Sequence, residues 1–360
     1  MESKNDSGHN SLIKVIRQLI GLVGVLTAVV IFLFCYILFQ SGFKDFEIFT
    51  KKAAPLLTDN SAPVTTKVKS GDELWTAPEE LSLENNPARE KILYGKRLVS
   101  HTALFFGPSG TIKKNATNGM NCQNCHLDAG TKPFGNNYGS VNSTYPRYRP
   151  RSGTVENIHK RINDCFERSL NGQPLDTTSK EMEAMAAYIN WVGKDVPKGK
   201  KAAGSGLKDL PFLNRAADPA KGKIAYEAKC ITCHMKNGEG QINGDQTAYT
   251  YPPLWGDNSY NSGAGLYRLS SFAKYIKYNM PQGTTHENPL LSDEEAWDIA
   301  AFVNSQPRPG KNISKDWPNI KEKPYDHPFG PYADGFTEQE HKYGPFQPIK
   351  EQLEALNKNK

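Results

Sequence analysis

"CQNCH" at residues 122–126 and "CITCH" at residues 230–234 are two copies of Cys-x-x-Cys-His in one chain. That spacing is the attachment signature of c-type haem: the two thiols form thioethers to the vinyl groups and the adjacent imidazole becomes the proximal iron ligand. Cys122, Cys125 and His126 make up one set, and Cys230, Cys233 and His234 the other. A lone Cys-x-x-Cys also occurs in redox and zinc sites. Here each copy sits in the same frame of helix, motif, long loop and second helix, so the chain is read as carrying two covalently attached c-type haems.

The frame is visible on both sides of each motif. "PAREKILYGKRLVS" precedes the first and "DPAKGKIAYEAK" the second, while "SKEMEAMAAYINWVG" and "SDEEAWDIAAFVNSQ" close the two units. In the closing segments a Ser cap is followed by acidic residues, and apolar side chains recur at helical spacing: Met182, Met185, Ala186 and Ile189, then Ala296, Ile299, Ala300 and Val303. Strand signals are sparse. This order of parts resembles the class I cytochrome c fold, in which a few helices wrap one haem and the terminal helices cross near its edge. The fold expected is therefore mainly α: two tandem class I cytochrome c domains joined by a linker, with an N-terminal transmembrane helix.

That helix is read from "LIGLVGVLTAVVIFLFCYILF", residues 19–39, which has no charge and is long enough to cross a bilayer. The apolar run exceeds the ~7–15 residues of a signal-peptide core and lacks a small-residue cleavage site after it, so an uncleaved anchor is expected. Lysines and arginines flank both ends and do not orient it. Haem attachment outside the cytoplasmic membrane does, placing residues 1–18 inside as a cytoplasmic tail and the haem domains in the periplasm of a single-pass inner-membrane protein. A tether over 40–79 follows, then domain 1 (80–196), a Gly- and Lys-rich linker (197–210), domain 2 (211–310) and a C-terminal extension (311–360). The extension is expected to wrap over the domains as an extended segment, with His327 and His341 as surface residues. The 360 residues, with 30 Gly and 24 Pro, suit two cofactor-filled cores with much irregular backbone. A net charge of +6 with no long basic run speaks against a nucleic-acid partner.

Each iron also needs a distal ligand. For the second haem the candidate is Met280 in "YIKYNMPQG", just before the closing helix, because Met with His is a common pairing in electron-transfer cytochromes; His286 is the alternative. Between the first motif and its closing helix there is no methionine, and the candidates are Cys165 and His159. Of six cysteines, four are used in thioethers and Cys35 lies in the membrane span, leaving Cys165 without a disulfide partner in an oxidising compartment. In "TVENIHKRINDCFERSLNG" Val155, Ile158, Ile162, Phe166 and Leu170 form an apolar helical stripe, while Arg161, Cys165, Arg168 and Ser169 share an adjoining face. A cation beside a cysteine favours the thiolate, the form that binds iron or attacks sulfur. His159 falls on a different face. Upstream, "YPRYRPRSG" adds Arg147, Arg149 and Arg151.

The stretches "NGMNCQNCHLDAG", "YRPRSG", "RINDCFERSLNG", "AAYINWVG", "NMPQG" and "DHPFGPYADGFTEQEHKYGP" together resemble the TsdA-type thiosulfate dehydrogenases, dihaem cytochromes c related to the SoxA sulfur-oxidation cytochromes. The resemblance covers about residues 80–345. It implies a catalytic haem held by His126 and Cys165, substrate contacts from Arg161, Arg151 and Ser169, and an electron-transfer haem held by His234 and Met280. Asn279 stands where that family can place an exchangeable Lys ligand. The implied activity is the interconversion of thiosulfate and tetrathionate, with electrons exchanged with a soluble cytochrome c or other redox partner. The competing expectations are a membrane-tethered dihaem cytochrome that only relays electrons, and a SoxA-like subunit that conjugates sulfur to a carrier.

Overall fold

The computed structural model describes residues 6–40 and 74–358. The chain divides into two units, Met1–Lys67 and Val68–Lys360. The first contains one long helix, Asp6–Gln40, whose stretch Lys14–Leu33 has a mean hydropathy of 2.3 over 20 residues, long and apolar enough to cross a membrane. The tether expected over 40–79 falls, for residues 41–73, outside the described residues, as does the side chain of Cys35.

The second unit is helical around two apolar cores, with two short antiparallel hairpins among the described residues, Arg147–Arg149 with Thr154–Glu156 and Gln241–Ile242 with Tyr249–Tyr251. Each core is built on a crossing of two helices. In the first, the opening helix Pro87–Ser100 starts at Pro87 behind an Asn86 cap and packs on the closing helix Lys180–Val192, capped by Ser179. In the second, Pro219–Lys229, capped by Asp218, packs on Asp293–Ser305, which begins with a Ser292/Glu295 capping box. The eight apolar residues expected to face inward from the closing helices are all buried.

Both crossings turn on a glycine. A Cβ on Gly95 would stand 1.9 Å from the carbonyl oxygen of Ala184, and one on Gly222 would stand 1.8 Å from that of Asp298. Backbone meets backbone at the same place in both repeats, and no larger residue fits without parting the helices. This repeated crossing, with a Cys-x-x-Cys-His motif after each opening helix, directly in the second unit and beyond the short helix Thr102–Phe106 and a loop in the first, is the cytochrome c arrangement twice over.

The tail differs from expectation. Beyond residue 310 it forms two further helices, Glu338–Tyr343 and Phe346–Lys358, and it places Tyr343, Phe346, Ile349 and Leu353 in the second core. His341, expected at the surface, is 1% exposed. Its Nδ1 meets the carbonyl of Tyr325 at 2.7 Å, its Nε2 meets Asp334 at 2.9 Å, and its ring stacks on Tyr332. His327 is buried as well, against Trp317 and Phe329. An aromatic- and Pro-rich segment has apolar surface to bury, and packing against the second domain supplies the place.

Candidate active site in the first haem unit

Thr102, just past the opening helix, fixes the first motif: its hydroxyl accepts from the N–H of Cys122 at 3.1 Å and lies 3.2 Å from the Cys122 sulfur. Asn121 caps the turn, accepting from the N–H of Ala103 at 2.9 Å. The His126 ring stacks against Tyr138, and its Nδ1 lies 2.5 Å from the carbonyl of Asn136. A carbonyl only accepts, so Nδ1 carries the proton and the Nε2 lone pair is left for a metal. The second motif repeats this device, with His234 Nδ1 at 2.9 Å from the carbonyl of Pro252. Burial drives His126 down to about 4, keeping it neutral and fit to ligate.

A cavity of about 470 Å³ opens over the first motif, lined by Cys122, Cys125 and His126. Its volume is in the usual range of cofactor and ligand pockets, ~300–1,000 Å³. Cys165, Arg161, Arg151 and Ser169 line the same cavity, with Arg147, Arg149 and Arg168. Among the described residues no three His, Cys, Asp or Glu side chains converge as a metal site of their own, and a haem needs none, because the porphyrin supplies the equatorial nitrogens. The motif cysteines, the free imidazole face and the cavity thus fit a covalently bound haem.

The helix Ile158–Arg168 carries the cysteine. It starts at an Asn157 cap and ends at Ser169, whose N–H donates to the carbonyl of Cys165. It is shorter than the apolar stripe suggests: Val155 belongs to the strand Thr154–Glu156 and is exposed, because the Arg147–Arg149 strand pairs with that segment first. Ile162 and Phe166 point into the core, which turns Arg161 and Cys165, one turn apart, to the cavity. The sulfur of Cys165 is the largest influence holding the Arg161 guanidinium above its usual value. Burial pushes the Cys122 and Cys125 thiols up to about 12, and the sulfur of Cys165 pushes both the same way, so three sulfurs lie within electrostatic reach of one another.

His159 lies elsewhere, as its helical position predicts. Its Nε2 meets Glu183 at 2.9 Å, and it does not line the cavity. Arg168 is held by Asp316 of the tail in a bidentate pair at 2.7 and 2.8 Å. Arg149 faces Glu156 at 3.9 Å, and Arg268 is paired with Asp326. Arg151 and Arg161 have no carboxylate within 4.0 Å among the described residues. In the second unit, Met280 follows the helix Leu269–Asn279, and Met280 and Cys230 pack against one core. His286 instead lies against Phe134, ring centroids 4.8 Å apart. The second domain also lends the first cavity Tyr260, Leu266 and Arg268. These residues, like Asp316, were not legible from spacing, because they arrive from ~100 residues or more along the chain through tertiary packing.

Fold and site together define a dihaem c-type cytochrome. Residues 112–197 match the family described as SoxA/TsdA, cytochrome c domain, and residues 219–307 match the cytochrome c family. A thiosulfate dehydrogenase of Psychrobacter arcticus is 37% identical over 273 residues, 75% of this chain and 80% of that protein. The thiosulfate dehydrogenase of Allochromatium vinosum is 37% identical over 238 residues, 65% of this chain and 84% of that protein. Among solved structures, the thiosulfate dehydrogenase TsdBA from Marichromatium purpuratum, in its as-isolated form, superposes with a TM-score of 0.61 at 30% identity, over 66% of this chain and half of that one. The chain belongs to the thiosulfate dehydrogenase family: it is an oxidoreductase acting on thiosulfate, with two c-type haems as cofactors.

Proposed function

We propose that the cavity over His126 is where thiosulfate is oxidised to tetrathionate, that Cys165 and His126 would hold the haem iron there, and that Cys165 is the group that carries sulfur. The observation that carries this reading is the shared wall: Cys165 and Arg161, one helical turn apart, line the same cavity as the first motif. The bound haem supplies a one-electron acceptor, and two haems together can take the two electrons released. Thiosulfate is a dianion, and the forks of Arg151 and Arg161 hold its sulfonate end while Ser169 offers a hydroxyl. The Cys165 thiolate forms a bond to the outer sulfur of thiosulfate with loss of two electrons, giving a cysteine S-thiosulfonate. A second thiosulfate attacks that outer sulfur, the bond to Cys165 breaks, tetrathionate leaves and the thiolate is restored. The reverse sequence reduces tetrathionate, so the haem potentials set the direction.

His234 and Met280 are assigned to the second haem, which relays electrons to a soluble cytochrome c or other redox partner. The apolar helix Lys14–Leu33 is assigned as an uncleaved single-pass anchor in the inner membrane, leaving both haem domains in the periplasm. The test is to follow haem reduction on adding thiosulfate, and reoxidation on adding tetrathionate, in the wild-type dihaem protein and in Cys165→Ala. Loss of both responses in the variant, with both haems attached, supports the assignment. A variant that responds like the wild type refutes it.

A further inference from the structure

The arginine hairpin that walls the cavity has little to hold it: two strands of three residues, with Tyr148 and Val155 largely exposed. What fixes it comes from the far end of the chain. Trp317 donates its backbone N–H to the carbonyl of Arg151 at 2.7 Å and lays its indole ring 5.7 Å from the Arg151 guanidinium carbon. Pro318 fills the space beside Gly153, where a Cβ would stand 2.6 Å from its ring. The hydroxyl of Tyr148 donates to Glu322 at 2.8 Å. Asp316 anchors this strap to the cysteine helix through its bidentate pair with Arg168, both side chains being mostly buried.

The kind of contact matters here. Arg168, Arg149 and Arg268 each face a carboxylate, whereas Arg151 faces an aromatic ring. A carboxylate partner would fix a guanidinium but neutralise it, and would compete with an incoming anion. An indole face attracts the cation and leaves its charge and its hydrogen-bonding fork available. Trp317 is itself 8% exposed and sits at φ +60°, a conformation rare for a bulky side chain, so packing and the hydrogen bond to Arg151 hold it there.

We propose that Trp317, anchored through Asp316 on Arg168, is a positioning residue that holds the Arg151 guanidinium in the cavity wall without neutralising it, keeping it free for the anionic substrate. This rests on the thiosulfate site proposed above. The tail is thereby part of the substrate-binding apparatus of a domain some 150 residues earlier in the chain.

The test is a double-mutant cycle on the full-length dihaem protein, with Trp317→Leu, Arg151→Ala and both together. Trp317→Leu is expected to raise the KM for thiosulfate about three- to tenfold, with kcat changed less than about twofold, in line with the loss of a desolvated cation–π contact. Trp317→Phe retains most of the wild-type KM. In the Arg151→Ala background Trp317→Leu changes KM no further. Calorimetric binding of thiosulfate to the electrochemically reduced protein, where no turnover occurs, weakens by the same factor in Trp317→Leu. If Trp317→Leu does not mature, Trp317→Met, which fills the space without a ring, takes its place with the same expectations. An unchanged KM, or an equal effect with and without Arg151, overturns the inference while leaving the thiosulfate site standing. A wild-type protein that neither binds thiosulfate nor is reduced by it brings down both.

Discussion

The phenol of Tyr275 donates a 2.8 Å hydrogen bond to the carbonyl of Asn124, the second of the two residues between the cysteines of the first Cys-x-x-Cys-His motif. Tyr275 lies on the helix of the second domain that runs directly to Met280. Asn279, the last residue of that helix, reaches the carbonyl of Phe134 in the loop after the first motif at 3.1 Å. The join between the domains packs there too: Phe134 donates to the carbonyl of Gly204, and Asn136 to that of Gly206. The two haem-binding segments are therefore fastened to each other by hydrogen bonds, which suits electron passage between haems that must keep a fixed separation.

Cys165→Ala is expected to abolish thiosulfate oxidation while leaving both haems covalently attached, since thioether attachment falls to the motif cysteines Cys122, Cys125, Cys230 and Cys233. The visible spectrum of the first haem shifts as sulfur ligation is lost, and that of the second does not change. Mass spectrometry and optical spectra of the purified variant check both halves. Loss of the first haem from the variant would instead give Cys165 a structural role in attachment.

Arg161→Gln keeps much of the side-chain volume and removes the charge. Charge-assisted hydrogen bonds to an anion are worth roughly 1.5–3 kcal/mol, so kcat/KM for thiosulfate falls about tenfold to a hundredfold. Arg161 is also the cation one turn from Cys165, whose sulfur is the largest influence holding its guanidinium above the usual value, so it stays charged throughout the working pH range. Steady-state kinetics with thiosulfate measure the effect, and a kcat/KM within about twofold of the wild type would take Arg161 out of substrate binding.

The glycine crossings give a pair of stability predictions with different readouts. Gly95→Ala and Gly222→Ala each place a methyl group under 2 Å from a backbone carbonyl oxygen, so the helices must part. Overpacking of this kind costs about 1–3 kcal/mol or more. Thermal unfolding followed at the two haems shows Gly95→Ala loosening the first environment before the second, and Gly222→Ala the reverse. Equal melting of both haems in both variants would mean that the two cores unfold as a single unit.

How much of this was legible beforehand follows the range of the interactions. The motifs, the caps at Ser179 and Ser292, and the inward faces of the closing helices are local patterns, and the structure has them where the residues put them. Arg161 and Cys165 were brought together by helical spacing alone. The spacing of Val155 fits the 3.6 period of the cysteine helix, but in the structure it pairs with Tyr148 in a strand. The tail is the part of the fold that local pattern reveals least. Nothing in "KDWPN" shows that Asp316 meets Arg168 or that Trp317 meets Arg151, because those contacts join the tail to the first domain across some 150 residues and exist only in the folded chain.

The last prediction concerns how that tail is held. Asp326 is almost fully buried, accepts from Arg268 Nε at 2.7 Å and from the N–H of Ser270 at 3.0 Å, and so caps the helix Leu269–Asn279 from a remote part of the chain. Burial alone would raise its pKa, but Arg268 and the Ser270 donors more than offset that and hold it below the usual carboxylate value. A depressed carboxylate contributes stability that is present above its unfolded pKa of ~3.9 and is lost as pH falls through the lower folded value. Asp326→Asn leaves Arg268 unpaired; because Arg268 is partly exposed, the cost at pH 7 is expected near ~2–3 kcal/mol, below the range for fully buried pairs. The gap between wild type and variant therefore narrows as pH drops below ~3.9. Denaturant unfolding at pH 7 and pH 3 measures it, and a gap that does not change with pH would show that the carboxylate charge is not what secures the tail.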